Sequence, residues 1–338
     1  MYEGHAIGVV IPAHNEAGYV GDVIDSIPEF VDRVYVIDDG SSDGTWDEIR
    51  EHADRMNQQP PREAIADGGS MSGGWIVPIR HDTNGGRGAA VKTGYRIALA
   101  DGMDVIAVMD GDGQMDPNIL DRFVEPIVDG RADYAKGNRL LSAQHRAGMS
   151  RWRLFGNTLL TLLTKTASGY WRMMDPQNGY TAISAQTLGS IHLDGLYDDY
   201  GFLNDLLVKL NVAEARIVDV AMQARYGEER SGIRYSTFVP KLSSLLLRDF
   251  LWRLETKYLL LDFHPLVGLY LLGGIGAIGW LLYIGWAIGT ALTPISASIA
   301  LLLMLVSGLF ITLGMIFDRN QNVDLEGRID DFLDEGRE

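Results

Sequence analysis

The chain has 338 residues, 45 acidic against 29 basic, with a net charge of −16. No basic surplus is available for a phosphate backbone, so nucleic acid is excluded as a partner. The absence of cysteine excludes disulfides and thiolate metal sites. The length leaves room for one large domain or two modest ones. Of the basic residues only 6 are Lys and 23 are Arg. An acid-rich, Lys-poor surface fits a salt-rich cytoplasm, where screening tolerates self-repulsion; a codon bias toward Arg is the alternative source. The N-terminus, Met1-Tyr2-Glu3-Gly4-His5, lacks a basic stretch, and the apolar run 6–12 is too short for a signal peptide.

The first half alternates strand-like and helix-like segments. Residues 7–11 read as a strand ending at Pro12, 20–30 as a helix, 33–37 as a second strand and 45–56 as a second helix. The polar stretch 57–74, with Pro60-Pro61 and several glycines, reads as a flexible surface insertion. A third strand follows at 75–79 and a third helix at 89–100. The branched run from Val105 is a fourth, buried strand ending at Asp110. This βαβα order implies a parallel sheet with right-handed crossovers.

Residues 151–166 and 238–263 are amphipathic and basic. Helices of this kind can lie in a membrane surface, apolar side down; an ordinary core-facing helix is the alternative for the first. No residue is charged from 266 to 289 or from 295 to 317. Each run is long enough to cross a hydrocarbon core of about 30 Å as a helix. The link 290–294 is short, so the pair predicts a helical hairpin with both ends on one side. Lys241, Arg248, Arg253 and Lys257 precede the first span and Arg319 follows the second, which places those ends in the cytoplasm. The acidic tail from Asp318 is expected to be solvated.

The tip of the fourth strand carries the sharpest chemical signal. Alternation along an extended tip would turn Asp110, Asp112 and Gln114 to one side. Three oxygen donors there suit a hard divalent cation that keeps open positions for phosphate oxygens. The carboxyl end of a strand is where open α/β sheets bind nucleotides. A plain turn is the alternative. An EF-hand loop is excluded, because Met115 stands where its Gly belongs and a strand, not a helix, precedes it.

Pro12-Ala13-His14-Asn15-Glu16 follow the first strand, and 38–45 follow the second. Carboxylates at strand ends can accept hydrogen bonds from a base or ribose. Composition equally predicts that Ser42 or Asp43 caps the next helix while Asp39 faces a ligand. Asn84-Gly85-Gly86-Arg87-Gly88 precede the third helix. The glycines would let backbone N–H groups approach an anion, with Arg87 and Lys92 adding charge; a plain helix start is the alternative. The segment has neither the Walker nor the GxGxxG spacing.

In this order, PAHNE, DDGSSDGT, NGGRGAAVKTG, MDGDGQMDP and KGNR resemble the family 2 glycosyltransferases of the GT-A fold. The resemblance covers roughly residues 5–235. It is greatest to the polyprenyl-phosphate sugar synthases of the dolichyl-phosphate mannose synthase type. It implies an α/β class: a Rossmann-like, mostly parallel GT-A domain over 1–236. An amphipathic interfacial helix would follow at 237–264, a transmembrane hairpin at 265–317 and an acidic cytoplasmic tail at 318–338.

The resemblance also implies roles for residues. Pro12, Ala13, His14 and Glu16 would touch the nucleotide, and Asp39 or Asp38 the base or ribose. Asp110, Asp112 and Gln114 would hold Mg2+ or Mn2+, with Gly111 among the donor contacts. Arg139 of Gly137-Asn138-Arg139 would contact the donor. Arg225, before Gly227 and near 231–235, resembles the basic loop that closes on the phosphates. The usual Lys there is Gly232 or Ile233, which leaves Arg230 or Arg234 to substitute. The segment 175–180, with Gln177, looks like the acceptor loop. Asp205 in YGFLND resembles the acceptor-side acid.

The expected activity is inverting transfer of a hexose from a UDP- or GDP-sugar to polyprenyl (dolichyl) phosphate. The expected setting is the cytoplasmic membrane face, in protein or surface glycosylation of a salt-loving archaeon. A lipid phosphate is already an anion near neutral pH, its second pKa being about 6, so it needs cations rather than a base. A sugar hydroxyl on a lipid-linked glycan would need a base, for which Asp205 is the candidate. A membrane-anchored nucleotide-sugar-binding module without turnover is the non-enzymatic alternative.

Overall fold

Strands read as unbroken branched runs when both faces of their sheet are covered. Such runs form β1 (Ile7–Ala13), β2 (Arg33–Asp38) and β4 (Val105–Val108), each buried along its length. The computed structural model describes residues 1–58, 74–139, 151–222, 235–290 and 293–327, without the side chains of 151–157 and 235–239. The insertion expected at 57–74 lies largely outside the described residues, as do Arg225, Arg230 and Arg234.

Further strands are β3 (Ile76–Arg80), β5 (Tyr134–Asn138), β6 (Thr181–Ser184), β7 (Ile217–Ala221) and β8 (Glu326–Gly327). The sheet order is β3-β2-β1-β4-β6-β5-β7-β8. β1 runs parallel to β2 and β4, and β2 to β3. β6 is antiparallel to both β4 and β5, while β5, β7 and β8 are parallel. The mostly parallel sheet expected from the alternation is therefore present, with one reversed strand near its middle.

Period two divides each strand between two cores. Ile7, Val9, Ile11, Val34, Val36, Val105 and Ala107 pack under α1 (Val20–Asp25), α2 (Thr45–Asn57) and α4 (Asp121–Val128). Val10, Tyr35, Ile37, Ile106 and Val108 pack under α3 (Arg87–Ala100), α6 (Ala185–Ser190) and α7 (Phe202–Val212). A slip of one residue would exchange the two sets, so packing specifies the register.

The remaining long helices are α5 (Arg151–Ser168), α8 (Tyr235–Glu255) with a π-helical turn at Thr256–Leu261, α9 (Leu266–Thr290) and α10 (Pro294–Asn322). On α8, Leu242, Leu245 and Leu246 bury against Ala167 of α5 and Val208 of α7. Its other side leaves Leu247 and Leu251 exposed, continuous in sequence with exposed Leu259, Leu260, Leu261 and Phe263. α9 and α10 are long and apolar enough to cross a membrane, and most of their length is uncovered. Leu272, Ile275, Leu282, Leu302 and Leu305 are each more than half exposed, unlike the core helix of a soluble protein.

Two expectations are corrected here. Arg253 and Lys257, read as cations facing a membrane surface, point inward. Arg253 donates to both carboxylate oxygens of Asp318 at 2.9 and 2.7 Å. It also donates to the carbonyls of Ala167 at 2.8 Å and Thr166 at 3.1 Å. Lys257 donates to the Asn211 carbonyl at 2.9 Å and to Asn322 Oδ1 at 3.0 Å. Burial pushes its ammonium down to about 8. Lys241 and Arg248 do stay exposed, Arg248 against Asp249 at 3.0 Å. The tail expected to be solvated from Asp318 is folded as far as Gly327. Asp318 and Asn322 have no exposed surface, and β8 adds a parallel edge to β7 through Ile217 and Glu326. Asp318 and Glu326 have internal donors, so these two carboxylates do not need water.

Removing one partner of a buried pair strands the other's charge. Asp318→Ala should therefore cost about 3–5 kcal/mol, read by unfolding of the full chain in detergent, whereas Arg253→Met with Asp318→Leu should cost clearly less.

Candidate active site at the carboxyl ends of the strands

β1 lies between β2 and β4, so the segments that leave their carboxyl ends meet. Gly111 N–H donates to the Pro12 carbonyl at 3.2 Å, and Asp39 N–H to the Ala13 carbonyl at 2.9 Å. Pro12, Ala13 and Gly111 thus form a buried floor. His14 Nδ1 lies 2.8 Å from the Asp39 carbonyl, and its Nε2 is 3.0 and 3.1 Å from the amides of Asn84 and Asn15. These partners place the ring proton on Nδ1, since the carbonyl can only accept. Glu16 is half-buried, its N–H on Thr45 Oγ1 at 2.8 Å.

The two carboxylates at the end of β2, Asp38 and Asp39, face inward. Asp38 has no exposed surface, accepts from Ser41 N–H at 3.1 Å and pairs with Arg80 at 3.1 Å. Asp39 accepts from the N–H groups of Gly85 and Gly86 at 2.9 and 2.8 Å and contacts His81 Nδ1 at 2.8 Å. The cap position of α2 is Gly44, without a side-chain cap, rather than Ser42 or Asp43; Asp43 one residue earlier accepts from Thr45 N–H at 3.0 Å.

This corrects the reading of 84–88 as an open anion cradle with Asp39 aimed at a ligand. The anion at the start of α3 is the protein's own Asp39. Gly86 has φ +94°, and a Cβ there would lie 2.7 Å from the Asp198 carbonyl; one on Gly88 would lie 2.6 Å from that of Tyr197. The glycines let residues 197–198 lie across the helix start. Lys92, expected to add charge for phosphate, donates to the Leu196 carbonyl at 2.9 Å and pairs with Asp198. Arg87 alone of this group turns to the strand ends. Its Nε donates to Asp110 Oδ1 at 2.8 Å and its Nη2 to the Gly179 carbonyl at 3.1 Å.

The tip beyond β4 is a turn, not the extended segment expected. β4 ends at Val108, Gly113 has φ +71°, and Asp112 Oδ1 accepts from Gln114 N–H at 2.9 Å. Asp110, Asp112 and Gln114 are half-buried on this one turn. Two carboxylates and an amide oxygen are donors that Mg2+ or Mn2+ takes. Among the described residues no group of three or more His, Asp or Glu closes around an ion.

Across from this turn, Arg139 donates to Asp175 at 2.7 and 2.9 Å through Nε and Nη2. Burial alone would raise the Asp175 carboxyl, but its bonds to Arg139 hold it below the usual range. Asp175 carries a left-handed backbone, φ +50°, a strained conformation for a residue with a Cβ. Gln177 Nε2 donates to Asn204 Oδ1 at 2.7 Å, which ties the 175–180 segment to α7. Asp205 is fully buried; it accepts from Tyr197 N–H at 2.8 Å and pairs with Lys209 at 3.4 Å. Its neighbour Asp249 is pushed up to about 6 by burial and by the charge on Asp205.

The structure thus brings Arg87, Asp110, Asp112, Gln114 and the 175–180 segment to one end of the sheet. It turns Asp38, Asp39, Lys92 and Asp205 into internal supports. Sequence reasoning gave no role to Lys136 or Asp219, which pair at 3.2 Å beside Arg139. A lone carboxylate in the apolar run Ile217-Val218-Asp219-Val220-Ala221 is a signal that could have been read; for Glu326 there is no such signal.

Residues 8–186, more than half of the chain, match the model of Glycosyl transferase family 2. The chain belongs to that family and is a glycosyltransferase. It is 26% identical over 217 residues to the UDP-N-acetylglucosamine–dolichyl-phosphate N-acetylglucosaminyltransferase of Methanococcus voltae, covering 62% of this chain and 84% of the relative. It is 30% identical over 222 residues to the undecaprenyl-phosphate mannosyltransferase of Micrococcus luteus, covering 62% and 80%. Among solved structures, glucosyl-3-phosphoglycerate synthase of Mycobacterium tuberculosis, in complex with Mn2+, UDP-glucose and phosphoglyceric acid, superposes with a TM-score of 0.51 at 21% identity. That match covers 74% of this chain and 80% of the other, and its fold is the GT-A fold expected here.

Because the value for Asp249 lies above the unfolded value of about 3.9, ionisation of this group opposes folding. The cost is full above about pH 6 and fades as the pH falls toward 4. Asp249→Asn should stabilise the chain at pH 8 by roughly 1 kcal/mol after solvent screening, and not at pH 4, in thermal unfolding at both pH values.

Proposed function

We propose that this chain transfers a hexose from a nucleoside-diphosphate sugar to polyprenyl phosphate, with inversion, at the cytoplasmic face of a membrane. The observation that carries the proposal is a carboxylate turn and two arginines, Arg87 and Arg139, at the strand ends of a domain that also bears an uncovered apolar hairpin. A uridine or guanosine diphosphate sugar fits this reading. The names of the M. voltae relative and of the solved complex, both with UDP, support uridine.

Asp110, Asp112 and Gln114 would hold Mg2+ or Mn2+, which supplies positive charge to the diphosphate as it departs. Arg87 is poised to exchange Asp110 for a phosphate oxygen, because its guanidinium already lies at the same turn. Arg139 stands beside the 175–180 segment, where an anionic acceptor would need a cation. The exposed leucines of α5 and α8 (Leu159, Leu162 and Leu163, Leu247 and Leu251) would rest on the lipid surface. The lipid phosphate would then reach the site from the membrane side, and the exposed cations Lys241 and Arg248 would keep that side cytoplasmic.

The burial of Asp205 supports a phosphate acceptor over a sugar hydroxyl, because a general base must reach the proton it removes. We assign the product to protein or surface glycosylation, and the acidic surface to a salt-rich cytoplasm.

Incubation of membranes containing the chain with labelled nucleotide sugars, Mn2+ and bare polyprenyl phosphate should yield a lipid carrying one sugar. Product only with a lipid-linked glycan would replace this reading with chain extension. Asp112→Asn should lower transfer by about 100-fold or more, and unchanged transfer would remove the metal assignment. Asp205→Asn should lose folding stability and transfer together; loss of transfer with full stability would restore Asp205 as a base.

A further inference from the structure

The chain that leaves the hairpin returns to the sheet and reaches the segment that carries Asp175. Glu326 on β8 is 6% exposed, and its carboxylate accepts three consecutive backbone N–H groups. They come from Trp171 at 2.7 Å, Arg172 at 2.6 Å and Met173 at 2.8 Å. The next N–H, of Met174, donates to Asp219 Oδ2 at 2.8 Å. Asp219 also accepts from Asn138 Nδ2 at 2.7 Å and pairs with Lys136, whose ammonium donates to the Met174 carbonyl. One residue further on, Asp175 takes its left-handed backbone and grips Arg139.

Four N–H groups in a row therefore rest on two carboxylates from neighbouring strands. A buried carboxylate is costly unless its hydrogen bonds are satisfied, and apolar packing alone would not call for one here. What this arrangement fixes is the direction in which the chain enters the strained turn at Asp175. Small displacements of positioning groups cost catalysis heavily.

We propose that Glu326 is a positioning residue for transfer: from a segment beyond the hairpin, it sets residues 171–175 and, through them, the Arg139–Asp175 pair. The proposal rests on the reading of 175–180 as the acceptor side. It makes the seating of the hairpin a determinant of acceptor geometry.

The test uses the full chain in detergent, with Glu326→Ala and Glu326→Gln. Hydrogen exchange should accelerate about tenfold or more at residues 171–178 in Glu326→Ala, and remain unchanged in β1 to β4. Glu326→Gln keeps one accepting oxygen and should fall between. With undecaprenyl phosphate as acceptor, KM for the lipid should rise about tenfold, while KM for the nucleotide sugar stays within about twofold. Unchanged exchange at 171–178 would overturn the proposal, as would both KM values rising together with a general loss of stability. Failure of the unaltered chain to transfer sugar to the lipid phosphate would instead refute the acceptor assignment, while the exchange result still judges the contact.

Discussion

A guanidinium and a carboxylate without exposed surface, Arg253 on α8 and Asp318 on α10, join the parts of this chain. Arg253 also donates to the last turn of α5, and Asp318 accepts from Tyr258 at 2.8 Å. Desolvating two charges is expensive, and their attraction offsets it only where the remaining donors and acceptors are satisfied. Here carbonyls, a phenol and Asn322 supply those partners. The pair holds the hairpin in one attitude to the catalytic sheet, so the strand ends keep one attitude to any surface the hairpin enters.

Charge at the strand ends is balanced in pairs before any ligand arrives. Arg87 faces Asp110, Arg139 faces Asp175, and Lys136 faces Asp219. Arg87 and Arg139, the cations that would receive phosphate, are half-buried and each is held by a carboxylate already in place. In the proposed reaction Asp110 would help to hold the divalent ion, and Arg87, no longer paired with it, would lie beside the diphosphate. The helix start that the glycine cluster would have offered to that diphosphate is filled by Asp39. The glycines serve the approach of residues 197–198, and in the proposed reading the arginines and the carboxylate turn would carry the donor.

Much of this was legible along the chain. The branched runs marked β1, β2 and β4 within two or three residues, since a strand buried on both faces has no polar alternation to obscure it. The polar clusters after those strands marked the segments that meet at the carboxyl ends of the sheet, where open α/β sheets bind ligands. Two uncharged runs marked α9 and α10. The direction of individual side chains was not legible. Lys92 carries the charge that a phosphate site wants and Asp39 the acceptor that a base or ribose wants, yet each found a partner inside the domain.

Fold class, family and the place of the carboxylate turn can be read along the chain, because these rest on local patterns: period, branching and short motifs in order. The packed fold was needed to show that Arg253 and Lys257 face inward, that residues 318–327 pack against the sheet domain, and that Glu326 holds residues 171–173. Arg253 meets its partner 65 residues away, and Glu326 its partners about 155 residues away. Whether a charged side chain seeks water or a buried counter-charge depends on what the fold brings beside it, and no window of neighbouring residues contains that information.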